Sequence, residues 1–513
     1  MIITVARQLN CNGQKYASLY LGRETPLPHN RPMPTLINLY EQLADELGAL
    51  IAGRVFAPGD RLPSIRRLAQ QKRLSISTVM QALRLLEDRG LIDARPQAGF
   101  YVRHRARTLI SVAASNDLKE PVYVGINNLL MQVLKANEGA GTVPLGSALP
   151  PDELLPIERM QRTVGSVARR DPALFAKVGY FDMNEPGFVR QVIRRAVDWG
   201  TLASDEIVVT SSCTEAISLS LRAVAKPGDT IAVESSTYFV LLQLLESLGM
   251  KALEIPTDPK IGPSLDALEL ALQEGLCQAC LFIPNSNNPI GSIMPESSKK
   301  RLANLVAHYN IPLIEDDVYG DLCFTLERPW PVKAYDTTGN VLMCSSFSKT
   351  VGLATRVGYV AAGKYAQEVA FLKTVSSGVT SHFFQAVVAE FIGGSGYDNQ
   401  IRKMRRVLAQ RIAHMSDAVS ASFPHECFIS EPQGGFVLWV QMPEQVDAME
   451  LHRTAVKERI AFMPGPLFSA SGKLRNFIRL NCSNAWSHDI ALAVEKLGRM
   501  IHDEAGSAAR KRA

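Results

Sequence analysis

With 513 residues, 46% of them hydrophobic, the chain is long enough for roughly two to four domains and apolar enough to bury a large core, which excludes a disordered polymer. It has no run of about eighteen apolar residues, and its start lacks the basic, apolar, then small-residue order of a secretory leader; a soluble, cytoplasmic protein with no membrane partner is expected. The net charge of +5 is uneven: residues 1–115 hold 16 Lys+Arg against 8 Asp+Glu, whereas the remainder holds 39 against 42, and such a basic end attracts a polyanion by counterion release. Among eight cysteines the only close pair is Cys277 and Cys280, in an apolar run with no second pair to complete a zinc site; reduced core residues and no metal are expected.

Residues 1–33 are polar, carry prolines and show no period; a flexible arm and an extended start fit equally well. Residues 34–103 carry three helical patterns and a ribbon. The first, from about Thr35 to Gly53, places Leu36, Leu39, Tyr40, Leu43, Leu47, Leu50 and Ile51 on one face. A second begins at Ser64, whose hydroxyl can cap free amides, and a third near Ser75 or Ser77, with Val79, Leu83 and Leu86 inward and Gly90 as its stop. The short connection between them is the spacing of a helix-turn-helix whose later helix enters the major groove. Leu91–Arg95 and Gly99–Val102 follow as two strands of a wing around Pro96-Gln97-Ala98.

The runs Pro58-Gly59-Asp60-Arg61-Leu62-Pro63-Ser64-Ile65-Arg66 and Gln81-Ala82-Leu83-Arg84-Leu85-Leu86-Glu87 resemble the GntR-type winged helix. The resemblance implies a double-stranded DNA operator as partner. It implies that Arg66 meets phosphate and groove, that Ser75, Ser77 and Thr78 touch DNA at the start of the recognition helix, and that Arg61, Ser64 and Gly99 face DNA with them. Ile76 and Met80 depart from the polar or basic readers of many relatives: contact with thymine methyls and simple packing are both open.

Residues 104–143 change character, with small polar Ala113–Asp117 and the breaker cluster Asn137–Gly141 around a short amphipathic helix over Val124–Ala136. A linker with one docked helix is expected. From residue 144 to 513, short apolar strands alternate with helical patterns: Ile207–Thr210, Thr230–Glu234, Cys280–Ile283, Ile311–Glu315, Val341–Cys344 and Arg356–Val360. Runs of this kind suit central strands of a mainly parallel sheet covered on both faces, with sites at strand ends, and the order after about residue 390 suggests a smaller α+β lobe.

The chemistry concentrates in Ser345-Ser346-Phe347-Ser348-Lys349-Thr350, with Arg356 seven residues after the lysine. A lysine amine can form an imine with pyridoxal, and Ser346, Ser348 and Arg356 can bind the phosphate that locks such a ring in place. Ser212-Cys213-Thr214 passes from strand to helix, where amides and hydroxyls can face a phosphate. Tyr238 offers a ring to stack on a pyridine, Asn288 an amide donor, the run Glu315-Asp316-Asp317 a carboxylate for a pyridinium nitrogen, and Tyr319 a hydroxyl for the phenolic oxygen.

In this order these groups resemble the fold-type I aminotransferases, in the subgroup with aspartate aminotransferase, over roughly residues 144–503. The likeness implies an α/β pyridoxal 5'-phosphate domain in which Lys349 carries the cofactor, Asp316 pairs with the ring nitrogen, Tyr319 and Asn288 bind the phenolic oxygen, and Tyr238 stacks. Ser212, Cys213, Thr214, Ser346 and Arg356 hold the phosphate, and Arg479 grips a substrate α-carboxylate. Tyr180 reaches the cofactor phosphate of a partner subunit, which requires a homodimer. Ser212-Cys213 stands where relatives usually show Gly-Ser, and a larger residue at a tight turn is expected to weaken the phosphate site. Winged helix followed by this domain resembles the MocR-type subfamily of GntR regulators, which implies a regulator sensing an amino compound or the cofactor itself. A working aminotransferase with an accessory DNA-binding domain is the competing reading, because the chemical site is complete.

Overall fold

The computed structural model describes residues 39–52, 55–56, 60–89, 91–95, 99–102, 107–108, 120–139, 141–176 and 183–512. Expectations for the N-terminal arm, Gly90, the wing tip at 96–98 and Tyr180 lie outside these residues. The chain divides near residue 100 into two compact units.

In the first unit, helices Leu39–Ala52, Ile65–Lys72 and Ile76–Asp88 bury Leu43, Leu47, Leu68, Val79, Leu83 and Leu86 against one another. Ser64 and Ser75 cap the second and third helices, accepting from the Arg67 and Thr78 amides at 3.4 and 3.1 Å, so both helix starts lie where a capping hydroxyl puts them. Arg73, left-handed at φ 54°, closes the second helix, and the Leu74 amide returns to the Ala69 carbonyl at 3.0 Å. Strands Ile92–Arg95 and Gly99–Val102 make the two-stranded wing.

The second unit centres on an eight-stranded sheet in the order 122–123, 251–255, 230–234, 279–282, 313–316, 341–346, 358–361, 207–210. The neighbours from 251–255 to 341–346 pair in parallel; 122–123 and 358–361 run against them, and 207–210 pairs antiparallel to 358–361. Every residue of 230–234, 279–282, 313–316 and 341–346 is buried, as continuous apolar runs between helices demand. The smaller lobe is a five-stranded sheet in the order 463–464, 477–481, 437–441, 428–429, 107–108, with helices Ser395–Ser422 and His488–Arg512.

Two segments differ from expectation. The stretch read as a linker contributes structure to the large unit: Val122–Tyr123 forms the edge strand beside 251–255, and Val143–Pro144 pairs with Ile460–Ala461. Its helix runs Asn127–Asn137, burying Leu130 and Val133, and starts where the Ile126 and Asn127 amides both donate to Glu246 at 2.7 and 2.9 Å. Arg356 is not on a strand. It sits at φ 48° behind the turn Leu353–Thr355, and the strand begins only at Gly358.

Candidate cofactor and DNA-binding sites

The strand ends converge on Lys349. Its Nζ donates to the Ala148 carbonyl at 2.8 Å. Burial and the nearby Arg479 guanidinium bring its pKa down to about 8, although Asp316 pulls the other way. The lysine therefore exists partly as the neutral nucleophile near neutral pH.

Asp316 lies at the end of the strand Leu313–Asp316, where alternation turns it to the face opposite its neighbour Glu315. Glu315 accepts from the Val332 and Lys333 amides at 2.8 and 3.0 Å, and Asp317 binds Arg328 and the Asn285 amide. Asp316 instead accepts from the Val318 amide at 3.1 Å and the Cys213 thiol at 3.4 Å, with no cation within 4.0 Å among the described residues. Burial raises its pKa to about 6. All three carboxylates are buried.

Arg479, on the strand Phe477–Asn481, is 1% exposed. It donates from Nη1 to Asn288 Oδ1 at 3.1 Å and from Nη2 to the Gly146 carbonyl at 2.7 Å, and its Cζ lies 5.5 and 5.1 Å from the ring centres of Phe239 and Phe468. No carboxylate pairs with it within 4.0 Å among the described residues, and burial lowers its pKa. Tyr238 and Tyr319 both feel the charges of Arg479 and Asp316, and burial raises both hydroxyl pKa values.

Ser212, Thr214 and Arg356 line one open cavity of about 530 Å³, with Ser211, Ser218 and Arg222. Ser212 caps the helix Cys213–Val224, and Glu215 accepts from the Ser211 amide at 2.5 Å while Lys373 neutralises it at 3.0 Å. Ser212 has φ −172°, an extended backbone open to any residue, so the larger side chain strains nothing there. The close approach falls on Gly358, where a Cβ would lie 2.7 Å from the Ser212 carbonyl carbon and 3.0 Å from the Cys213 nitrogen. Cys213 is buried and turned toward Asp316 rather than the cavity. Ser346 and Ser348 are buried; Ser346 lines a smaller cavity of about 40 Å³ beside Arg195, Asp317 and Arg328.

Sequence reasoning missed Glu234, which is 1% exposed at the end of its strand. It accepts from the Ile283 amide at 2.7 Å, Asn287 Nδ2 at 3.2 Å and Thr237 Oγ1 at 3.4 Å, tying together the loops that carry Tyr238 and Asn288. Burial raises its pKa to about 7. A glutamate ending an apolar strand was the available signal. The carbonyls of Gly146 and Ala148 left none, since any residue supplies a carbonyl.

The residues fit a ring that carries a phosphate and a positive nitrogen. Among the described residues, Asn288 Nδ2 and Arg479 Nε are buried without a hydrogen-bond partner, and no cation lies within 4.0 Å of Asp316.

On the winged helix, Ser75 Oγ bonds Ser77 Oγ at 2.7 Å and Thr78 Oγ1 at 2.8 Å, making a hydroxyl cluster at the helix start. Arg61, Ser64 and Arg66 are exposed, and Arg61 bridges Tyr101 in the ribbon. Gly99 opens its strand at φ 101°, a conformation that favours glycine. Ile76 is 57% exposed, which removes the packing alternative for it, while Met80 is half-buried.

A helix-turn-helix joined to a fold-type I transferase domain is thus the class that the architecture defines. Residues 39–102 match the bacterial regulatory proteins of the gntR family, and residues 191–497 match the class I and II aminotransferases. The chain is 38% identical to the HTH-type transcriptional regulator YdcR of Escherichia coli K12, over 90% of this chain and 99% of the relative, and 35% identical to YjiR of the same organism, over 90% and 98%. Among solved structures, the multiple substrate aminotransferase of Thermococcus profundus superposes with a TM-score of 0.69 at 24% identity, covering 74% of this chain and 95% of that one. LysN, the α-aminoadipate aminotransferase of Thermus thermophilus complexed with N-(5'-phosphopyridoxyl)-L-leucine, gives 0.66 at 25%, over 74% and 95%. The chain belongs to the MocR-type family of GntR transcription regulators, in which a GntR winged helix precedes a class I and II aminotransferase domain. Its cofactor is pyridoxal 5'-phosphate. Among the described residues, no helix is long and apolar enough to cross a membrane.

Proposed function

We propose that this regulator acts in the cytoplasm as a homodimer whose affinity for a double-stranded operator is set by an amino acid bound at the Lys349 site. The observation that carries the reading is Arg479: a buried guanidinium with two neutral partners, no carboxylate within 4.0 Å among the described residues, and a free Nε. An isolated buried charge is costly, and an α-carboxylate taken up by the planar guanidinium would offset that cost.

Pyridoxal phosphate supplies, when bound, an aldehyde reactive toward amines and a ring that withdraws electrons. The chain's own groups then divide the work. Lys349 would hold the cofactor, and its Nζ, as a neutral amine, would be able to take up a proton. Asp316 would keep the ring nitrogen protonated, Tyr238 would cover the ring, and Tyr319 and Asn288 would orient its oxygen. Ser212, Thr214 and Arg356 receive the phosphate at the start of the helix Cys213–Val224, with Ser346 and Ser348 behind them. At the other end, Arg66 meets phosphate while Ser75, Ser77 and Thr78 approach the groove. An effector can move the equilibrium only by binding the two DNA affinity states differently.

The same complete set, Lys349 with Asp316 and Arg479, also supports turnover as an aminotransferase. Anisotropy of labelled duplex DNA, titrated with cofactor-loaded protein with and without an amino acid, separates the two. An amino-acid-dependent shift in operator affinity is expected. Sustained multiple turnovers with a keto acid, at an operator affinity no amino acid changes, would move the assignment to an enzyme.

A further inference from the structure

The first turn of the recognition helix presents an unusual combination to solvent. Ser75, Ser77 and Thr78 spend their hydroxyls on one another, at 2.7 and 2.8 Å, and on the helix cap at 3.1 Å. Between them stands Ile76, the first residue of the helix Ile76–Asp88, with 57% of its surface exposed. Isolated apolar residues on a surface are ordinary, so exposure by itself carries nothing. Its place decides the matter: in a helix-turn-helix the N-terminal residues of this helix are the ones that reach base edges.

The charge around it names the occupant. Arg66, Arg67 and Arg73 are all exposed on or beside the preceding helix, and Arg84 is exposed further along the recognition helix. Cations so placed take phosphates, which position a duplex without reading it. In the first turn itself there is no arginine or lysine to fork onto guanine and no amide to pair with adenine. A branched hydrocarbon has one complementary feature in the major groove, the C5-methyl group of a pyrimidine.

We propose that Ile76 is a specificity-determining residue that reads the C5-methyl of a thymine in the operator. The inference rests on the DNA-reading function proposed above and gives that function its first base preference. Burying one methyl between Ile76 and thymine is equivalent to about a fourfold gain in affinity.

The test uses the full-length, cofactor-loaded protein. Duplexes selected from a random-sequence pool define a motif, and each thymine in it is replaced in turn by deoxyuridine, which removes only the methyl group. One such replacement is expected to weaken the parent about fourfold. Ile76→Ala should bind the thymine and uracil duplexes equally, and Ile76→Val should keep part of the difference. Alanine favours a helix and the site is exposed, so the fold is retained, with thermal unfolding as the check. A uracil effect of the same size in the parent and in Ile76→Ala overturns the proposal, as does a motif without thymine. A second selection from a pool with C5-methylated cytosine also decides: enrichment only there would make the ligand methylcytosine and overturn the thymine assignment. Failure of any sequence to be enriched would remove the DNA-reading function itself, which distinguishes that outcome from the others.

Discussion

Arg479 reaches across the site to Asn288, Nη1 to Oδ1 at 3.1 Å, although 191 residues separate the two in sequence. The contact joins the smaller lobe to the loop after the strand Ala279–Phe282, and among the described residues Arg479 Nε and Asn288 Nδ2 have no acceptor. Two fixed, unsatisfied donors of this kind are preorganised for a ligand's oxygens.

Arg479→Lys keeps a positive charge but loses the fork. Affinity for L-amino acids should fall at least about 30-fold, the loss of roughly 2 kcal/mol for a buried charged hydrogen bond. The amine made by decarboxylating the same amino acid should bind parent and variant alike. Titration of the cofactor's absorbance reads both, and equal losses for the two ligands would refute the carboxylate role.

For Lys349, a pKa of about 8 sets a direction. The neutral amine prevails above that pH, so the rate at which apo-protein captures pyridoxal phosphate should climb through about pH 8 and then level off. Asp316 raises the lysine's pKa, so Asp316→Asn should move the inflection to lower pH. Lys349→Ala should show no absorbance of lysine-bound cofactor at any pH.

Gly358→Ala places a methyl 2.7 Å from the backbone at Ser212 and 2.9 Å from the Ser345 carbonyl oxygen. The start of the helix Cys213–Val224 must shift outward. Affinity for pyridoxal phosphate should drop roughly tenfold, within the usual cost of overpacking, while affinity for unphosphorylated pyridoxal stays near the parent value. Equal effects on both, in equilibrium dialysis, would show that the turn does not serve the phosphate.

Glu234 predicts a pH dependence of apo-protein stability. Its folded pKa of about 7 lies above the ordinary 4.5, so the folded state binds the proton more tightly than the unfolded chain. Its favourable contribution is full below about pH 4.5 and is lost as pH rises through about 7, a change of up to about 3 kcal/mol. Urea unfolding at pH 5 and pH 8 should show a smaller difference in Glu234→Gln than in the parent. An unchanged difference would assign the slope to other groups such as Glu315, whose pKa burial also raises to about 7.

Much of the site was legible because its residues occur at strand ends in fixed order. Lys349, Asp316, Tyr319 and Asn288 each follow a short apolar run, and the sheet brings such ends to one edge. Arg356 was legible as a residue but not as a conformation. Nothing in Leu353-Ala354-Thr355-Arg356 announces a left-handed arginine, which only the packing of the turn against its surroundings imposes. Likewise, the strand at 122–123 is too short to carry a period, and becomes a strand only because Lys251–Ile255 offers it an edge.

Local chemistry, then, was written in the chain itself: hydrophobic periods placed the helices, Ser64 and Ser75 placed their starts, and the residue types around Lys349 chose the cofactor. Long-range geometry alone decided which charges face one another. Glu315, Asp316 and Asp317 are alike in sequence, yet Arg328 claims Asp317, the Val332 and Lys333 amides claim Glu315, and Asp316 faces the Cys213 thiol. The reason is physical: propensity and capping act over a few residues, whereas burial and ion pairing depend on neighbours that only the folded backbone supplies.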